Sequence, residues 1–420
     1  MIPQTAARLR EQIAYFSGRL SAGLCKPARR FVYEMVYGIQ ARQSVRLSEV
    51  GRSLNEPIPL GKTETRLSRN LGRSELREAI GDALIREGAS RIGDDTLLVL
   101  DLSDITKPHA KKMEHLARVH DGSAGVLGMG YWLCQVVGVE NGGNEITPMY
   151  GELYSQEADD FVSENDEIFK AVRKVSEGVG KRGVWVIDRG GDRGAVYDKF
   201  IPKGNGLRFI IRQKGERHLC LGSRKLPALE IAQGCPTPYA TTVIREEKGR
   251  EKAYTVEYGF RPVRLPKHPD IPLWLVVVKG FGKEPMMLLT NVPMRRKRDL
   301  LWWAVSAYIT RWRVEETIRF MKQSYDLEDV RVLTYGRLRN IVALTVAAMF
   351  FASVVLGTKM KLAVLTSHVL KAAKRIFGIP DFRYYAIADG IKALLTRFTP
   401  FKPHQKTTGR NDDQLMLFLT

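Results

Sequence analysis

Two short apolar runs, each closed by an aspartate, restrict the fold of this chain more than any other feature. Leu97-Leu98-Val99-Leu100 leads into Asp101, and Val184-Trp185-Val186-Ile187 leads into Asp188. Four apolar residues with no polar alternation read as a strand covered on both faces, and such strands sit inside a sheet with a layer on either side. A carboxylate at the end of a buried strand must be ion-paired, metal-bound or strained. Two of them call for a common explanation.

The surrounding elements can be ordered. Residues 130–140 and 145–155 flank Asn141-Gly142-Gly143-Asn144, a hairpin signal. A helix is expected over 157–179, with Phe161, Ile168, Val172 and Val175 near one face, and its acidic start at 157–167 reads as a solvated face. The Asp188 strand follows, then a short helix and a strand at 206–213. Strand, hairpin, helix, strand, helix, strand is the order of a ribonuclease-H-like α/β core. Residues 241–245, 253–258, 273–278 and 286–290 read as strands separated by Gly and Pro, a mainly β insertion. Helix returns at 296–323 and 335–356.

The chain therefore divides into a helical DNA-binding domain (1–92), the first part of the core (93–213), the insertion (214–294), the second part of the core (295–356) and a basic helical C-terminal segment (357–420) with a loose tail at 398–413. Residues 341–356 are apolar enough to suggest a membrane span. They fall short of the ~20 residues a spanning helix needs, and Thr345 and Ser353 interrupt them, so a buried core helix is expected and no membrane partner.

Charge narrows the partner. Lys and Arg number 66 against 46 Asp and Glu, a net charge of +20, which favours a polyanion such as nucleic acid. Four scattered cysteines with no C-x-x-C pair point to a reducing compartment, and no His or Cys spacing suits a structural zinc. The expected setting is the cytoplasm, in association with the nucleoid. Near the N-terminus, a helix over 44–54 with Ser44 as its cap, the turn Asn55-Glu56-Pro57-Ile58-Pro59 and a second helix from about Lys62 resemble a helix-turn-helix. Lys62, Arg66 and Arg69 on that second helix are candidate DNA contacts.

The most informative helix carries Tyr308, Arg311, Glu315 and Lys322. At 100° per residue all four lie within one ~60° stripe, beside an apolar stripe of Val314, Ile318 and Met321. A helix seated by the second stripe presents a phenol, a guanidinium, a carboxylate and an ammonium in line. Glu315 with Asp101 and Asp188 would make three carboxylates. Hard oxygen ligands of this kind suit Mg2+, with Mn2+ as substitute, and two such ions serve in-line attack on a phosphodiester. Arg311 and Lys322 would bind neighbouring phosphates.

Tyr308-x2-Arg311-x3-Glu315-x6-Lys322, with the flanking text RWRVEETIRFMK, resembles the Tyr-Arg-Glu-Lys signature of the bacterial insertion-sequence family-four DDE transposases. The resemblance spans about 95–356. It implies a ribonuclease-H-like core with a β insertion before the catalytic Glu, and Asp101, Asp188 and Glu315 as catalytic metal ligands. It also implies transposon-end contacts from Tyr308, Arg311 and Lys322, and cleavage and strand transfer on DNA with terminal inverted repeats and on target DNA, with a homodimer forming on synapsis. The family's first Asp reads Asp-x-Ser/Thr, which both Asp101-Leu102-Ser103 and Asp104-Ile105-Thr106 fit; Asp101 is favoured because it ends the apolar run. Some relatives carry a base-stacking Trp before the last insertion strand. Here Met286-Met287 stand there, and Trp274 reads as core. Arg189, directly after Asp188, is a further DNA candidate, and Gly190-Gly191-Asp192-Arg193-Gly194 reads as a turn beside the site. Two other readings compete: a DNA-binding regulator without catalysis, and a structure-specific nuclease of the same fold.

Overall fold

The computed structural model describes residues 2–122, 125–201, 206–247, 250–330, 332–366 and 384–398. It opens with five helices: α1 (Ile2–Leu20), α2 (Lys26–Arg42), α3 (Leu47–Leu54), α4 (Leu60–Leu71) and α5 (Leu76–Gly88). The core follows as β1 (Leu97–Thr106), β2 (Ala117–Asp121), β3 (Val126–Val139), β4 (Ile146–Tyr154), α6 (Glu164–Gly178), β5 (Val184–Ile187), α7 (Gly194–Phe200) and β6 (Arg208–Arg212). β1 pairs antiparallel with β3, and β3 with β4, while β1, β5 and β6 run parallel. The order β4-β3-β1-β5-β6, three antiparallel strands and then two parallel ones, is a ribonuclease-H-like sheet.

The alternation of side chains across the sheet accounts for the apolar runs. Leu97 and Val99 of β1 and Val184 and Val186 of β5 enter one core; Leu98, Leu100, Trp185 and Ile187 enter the other. With both faces covered, no position in either run tolerates a polar side chain.

Residues beyond β6 do not form a separate body. They supply β7 (His218–Leu221), β8 (Arg224–Pro227), α8 (Ala228–Gln233), β9 (Tyr239–Glu247), β10 (Arg250–Leu265), β11 (His268–Lys279) and β12 (Met286–Thr290). β12 pairs with β6 from Leu288↔Arg212 to Thr290↔Ile210, so the insertion prolongs the core sheet through β12, β11 and β10. The four strands expected in this region are present. β2, β7, β8 and α8 escaped the sequence reading because elements of four to six residues carry too little periodicity. Trp274 is partly buried against the core. α6 starts at 164, later than expected, where the Ser163 hydroxyl accepts from the Asp166 N–H at 3.2 Å. Of its acidic start, Glu164 pairs with Arg193 and Glu167 is buried, pairing with Lys170.

The remaining helices are α9 (Arg298–Thr310), α10 (Trp312–Ser324), α11 (Tyr335–Phe350), α12 (Thr358–Thr366) and α13 (Tyr384–Phe398). α11 continues through a π turn at Phe351–Val355. This stretch is long and apolar enough to cross a membrane by length and composition, yet most of it is buried inside the protein. Its cover is largely the N-terminal helices. Phe16 of α1 stacks on Phe350 with ring centroids 5.7 Å apart. Gln40 of α2 donates to the Ala348 carbonyl at 2.7 Å. The Asn340 amide donates to the Leu71 and Arg73 carbonyls at 2.7 and 2.8 Å, closing the end of α4.

The boundary expected at residue 92 is therefore a change from helix to strand and not a boundary of the core, because α1, α2, α11 and α13 share one apolar cluster. The expected tail lies outside the described residues from 399 onward. Ser44 does not cap α3, whose cap residue is Arg46; the Ser44 hydroxyl instead accepts from the Arg46 N–H at 3.3 Å.

Truncating Phe16, fully buried against α11, removes a stacked ring where α1 meets that helix. Phe16→Ala is expected to cost about 3–5 kcal/mol and to lower the urea midpoint of the whole chain. Unfolding of α1 alone, with the midpoint of the sheet unchanged, would show that the two halves do not share a core.

Candidate active site

The parallel register of β1 and β5 sets the site. Leu97↔Val184 through Leu100↔Ile187 are partners, so the residues that follow, Asp101 within β1 and Asp188 just past the end of β5, stand beside one another. β5 stops there, whereas β1 runs on to Thr106. Asp188 turns its carboxylate back to cap the 3-10 turn at Arg189–Gly191, accepting from the Gly190 N–H at 2.7 Å. Asp104 lies three residues further along β1, where strand alternation turns it to the other face. The register thus pairs Asp101, and not Asp104, with Asp188.

The third carboxylate is brought in by α10, whose buried Val314, Ile318 and Met321 seat it as the helical pattern requires. The helix read over 296–323 breaks in one place: Arg311 is the joint between α9 and α10. The hairpin at 141–144 grips this joint. Asn141 donates to the Trp303 carbonyl at 2.9 Å and accepts from Ser306 at 2.9 Å, Gly142 N–H donates to Thr310 Oγ1 at 3.0 Å, and Arg313 donates to Asn144. Gly142 holds φ +74°, a conformation that favours glycine.

Arg311 is the centre of the arrangement. Its Nη1 donates to Asp101 Oδ1 at 3.1 Å and its Nη2 to Glu315. The second Asp101 oxygen accepts from the Ser103 hydroxyl at 2.6 Å. Burial pushes the Asp101 carboxyl up to about 6; the charges of Asp188 and Glu315 push the same way, while Ser103 and Arg311 restrain it. Burial disfavours the Arg311 cation, but Tyr308, Glu315, Asp101 and Asp188 outweigh it and hold its pKa above the usual value. Tyr308, buried at the end of α9, has Arg311 5.7 Å and Arg212 5.9 Å from its ring centroid.

Lys322 sits elsewhere. It binds Asp104 Oδ2 at 3.1 Å and Glu328 Oε1 at 3.0 Å. Glu328 also accepts from the Thr106 N–H at 3.1 Å. Buried Lys107 fixes this loop by donating to the carbonyls of Leu327, Glu328 and Val330 at 2.6, 2.9 and 3.1 Å; burial pulls its pKa down to about 8 against the pull of Glu328 and Asp329. The sequence reading missed Lys107, Glu328 and Arg212, none of which stands in a recognisable pattern. Lys107, directly after a strand rich in Asp, offered the only signal.

The other candidates separate by exposure. Arg189 is exposed and lines a groove of about 850 Å3 with Arg212 and Lys214. Lys62 and Arg69 are exposed on α4. Arg66 requires a correction: it is a structural clamp, binding the fully buried Glu34 at 2.5 Å and Glu56 at 2.9 Å. Helical spacing marked a basic stripe but could not reveal that a buried acid on α2 claims its middle member.

Three carboxylates offer donors of the kind a hard divalent cation takes. Among the described residues, no three acidic, His or Cys side chains are gathered into a ready-made cage; Arg311 lies between two of the acids instead. No family model matches the chain, and no curated protein does. Among solved structures, the chain is similar to one described as a cryo-EM structure of the piggyBac transposase synaptic complex with hairpin DNA, with 11% identity, a TM-score of 0.46, and coverage of 98% of this chain and 87% of that one. The likeness is distant, and it does not supply the insertion-sequence family that the Tyr308 to Lys322 spacing resembles.

Two predictions follow from this geometry. Arg66→Ala strands Glu34, although Arg30 keeps one bond to it. The expected loss is at or below the lower end of the about 3–5 kcal/mol for breaking a buried pair, whereas Lys62→Ala and Arg69→Ala leave urea stability unchanged. Equal stability of all three variants would refute the clamp.

For Asp101, the folded pKa lies above the ~3.9 of an unfolded aspartate. The native chain therefore holds an extra proton in the window from about pH 4 to 6, and stability from this group falls as pH rises through that window. Thermal unfolding should find Asp101→Asn more stable than the wild type near pH 7, with the gain shrinking as the pH falls through the same window. A gain independent of pH would rule out the Asp101 charge as its origin.

Proposed function

We propose that this chain is a DNA transposase of the DDE type, related to the insertion-sequence family-four enzymes, that binds terminal inverted repeats and carries out cleavage and strand transfer. The observation that carries the reading is Asp101, within β1, beside Asp188, just past the end of β5, with Glu315 linked to Asp101 by one guanidinium. Burial is the main reason the Asp101 carboxyl is raised, and the charges of Asp188 and Glu315 add to it; a buried acid with two further acids near it is a common feature of functional sites.

Asp101, Asp188 and Glu315 would hold divalent cations, Mg2+ or Mn2+, which when bound supply activation of a water or 3′-hydroxyl and charge neutralisation at the scissile phosphate. The chain's own side chains do the positioning. Arg311 offers a planar fork to a phosphate beside the acids. Arg189, Arg212 and Lys214 line the adjoining groove and would track the strand. Lys322, two helical turns from Glu315, would hold a phosphate further along, in exchange for Asp104 and Glu328. Lys62 and Arg69, on the exposed side of α4, would contact the duplex. The net charge of +20 supplies the long-range attraction. In this reading the protein works in the cytoplasm at the nucleoid, and two copies meet when two ends are synapsed.

Purified protein with Mg2+ should nick and join the terminal inverted repeats of the element that encodes it. Glu315→Gln should bind the same ends with wild-type affinity and leave them uncut. Equal cleavage by the two proteins would end the proposal, and nicked ends without any joined product would reassign the chain to the nucleases.

A further inference from the structure

We propose that Arg311 couples phosphate binding to metal binding: its guanidinium occupies the carboxylates until a phosphate, taken up between Arg311 and Arg212, draws it off. This rests on the reading of Asp101, Asp188 and Glu315 as metal ligands. Arg311 spends one nitrogen on Asp101 and another on Glu315, so a single cation spans two acids from different elements. A guanidinium and a divalent cation compete for the same oxygen lone pairs. The Arg311 and Asp101 side chains are only 16% and 12% exposed, so salt screens this pair poorly. Lys322 is not a counter-ion of these acids: its ion pairs are with Asp104 and Glu328.

The structure also provides an alternative seat. Arg311 and Arg212 both lie within 6 Å of the Tyr308 ring centroid, and Arg212 lines a groove with Arg189 and Lys214, which Glu216, Glu230 and Glu284 also line. No carboxylate pairs with Arg212 among the described residues. Two guanidinium groups flank one aromatic ring, and only Arg311 is held by acids, so the pair offers donors to a phosphodiester. Binding one withdraws Arg311 from Asp101 and Glu315 and leaves their oxygens to metal. By linkage, metal then strengthens phosphate binding by the same factor. Substrate would thereby load the site, and the DNA-free chain would hold metal weakly.

The test is Mn2+ binding by the full-length chain, followed by electron paramagnetic resonance, with and without a short duplex oligonucleotide of arbitrary sequence at low salt. Uptake by the duplex and by other sites is subtracted with Asp101→Asn protein. Without duplex, Arg311→Gln should bind Mn2+ roughly tenfold more tightly than the wild type, and Arg311→Lys should fall between them. Adding duplex should tighten Mn2+ binding by the wild type by about the same factor and leave Arg311→Gln unchanged. Arg212→Gln should show wild-type Mn2+ affinity without duplex and a reduced response to it.

A DNA phosphate that merely ligated the metal would tighten binding in Arg311→Gln as well, and that result would overturn the proposal. So would equal Mn2+ affinity in wild type and Arg311→Gln without duplex. If Asp101→Asn and Glu315→Gln bind Mn2+ as the wild type does, the metal-ligand reading itself fails. The wild-type comparison with and without duplex needs no substitution at Arg311 and stands even if Arg311→Gln does not fold.

Discussion

The parallel pairing of β1 with β5 is the constraint on which the rest depends. Four residue pairs hold the two strands in register, and a slip of one residue would turn every side chain of the moved strand to the opposite face. Leu98, Leu100, Trp185 and Ile187 fill one core while their neighbours fill the other, so the register is locked from both sides. The positions of Asp101 and Asp188 are by-products of that lock. The carboxylates are costly to hold together, and burial across two cores supplies the stability that offsets them.

The third acid depends on a different device. α10 touches the sheet through its apolar stripe, but its placement along β1 is fixed by the hairpin at Asn141–Asn144, which grips both sides of the Arg311 joint. The hairpin belongs to β3, the antiparallel partner of β1. One continuous stretch of chain therefore measures the distance between the strand bearing Asp101 and the helix bearing Glu315.

Much of this could be read in the sequence because it obeys a period. Apolar runs leading into Asp, a 3.6-residue stripe bearing Arg311 and Glu315, and a Gly-Gly turn are local signals. The structure has a strand at each run and a hairpin at the turn, but β1 continues past Asp101 to Thr106 and the helix of the stripe breaks at Arg311. What depended on tertiary partners could not be read. Arg66 and Lys62 look alike on α4, yet a buried acid on α2 takes one and leaves the other in solvent. Lys322 lies on the predicted stripe, but Asp104 and Glu328, from separate segments, decide what it touches. The boundary at residue 92 misled for the same reason: composition changes there while the core does not.

The shared core has a consequence for the order of synthesis. α1 and α2 are made before α11 and α13, whose surfaces they cover and which lie roughly 300 residues later, a wait of about 15–60 s at ~5–20 residues per second. Until then they have only one another and the other N-terminal helices to pack against. The rest of their apolar faces waits for α11 and α13, and Asp101, Asp188 and Glu315 cannot meet before α10 has been made. The same packing that later holds the chain together thus also sets when its three acids can come together.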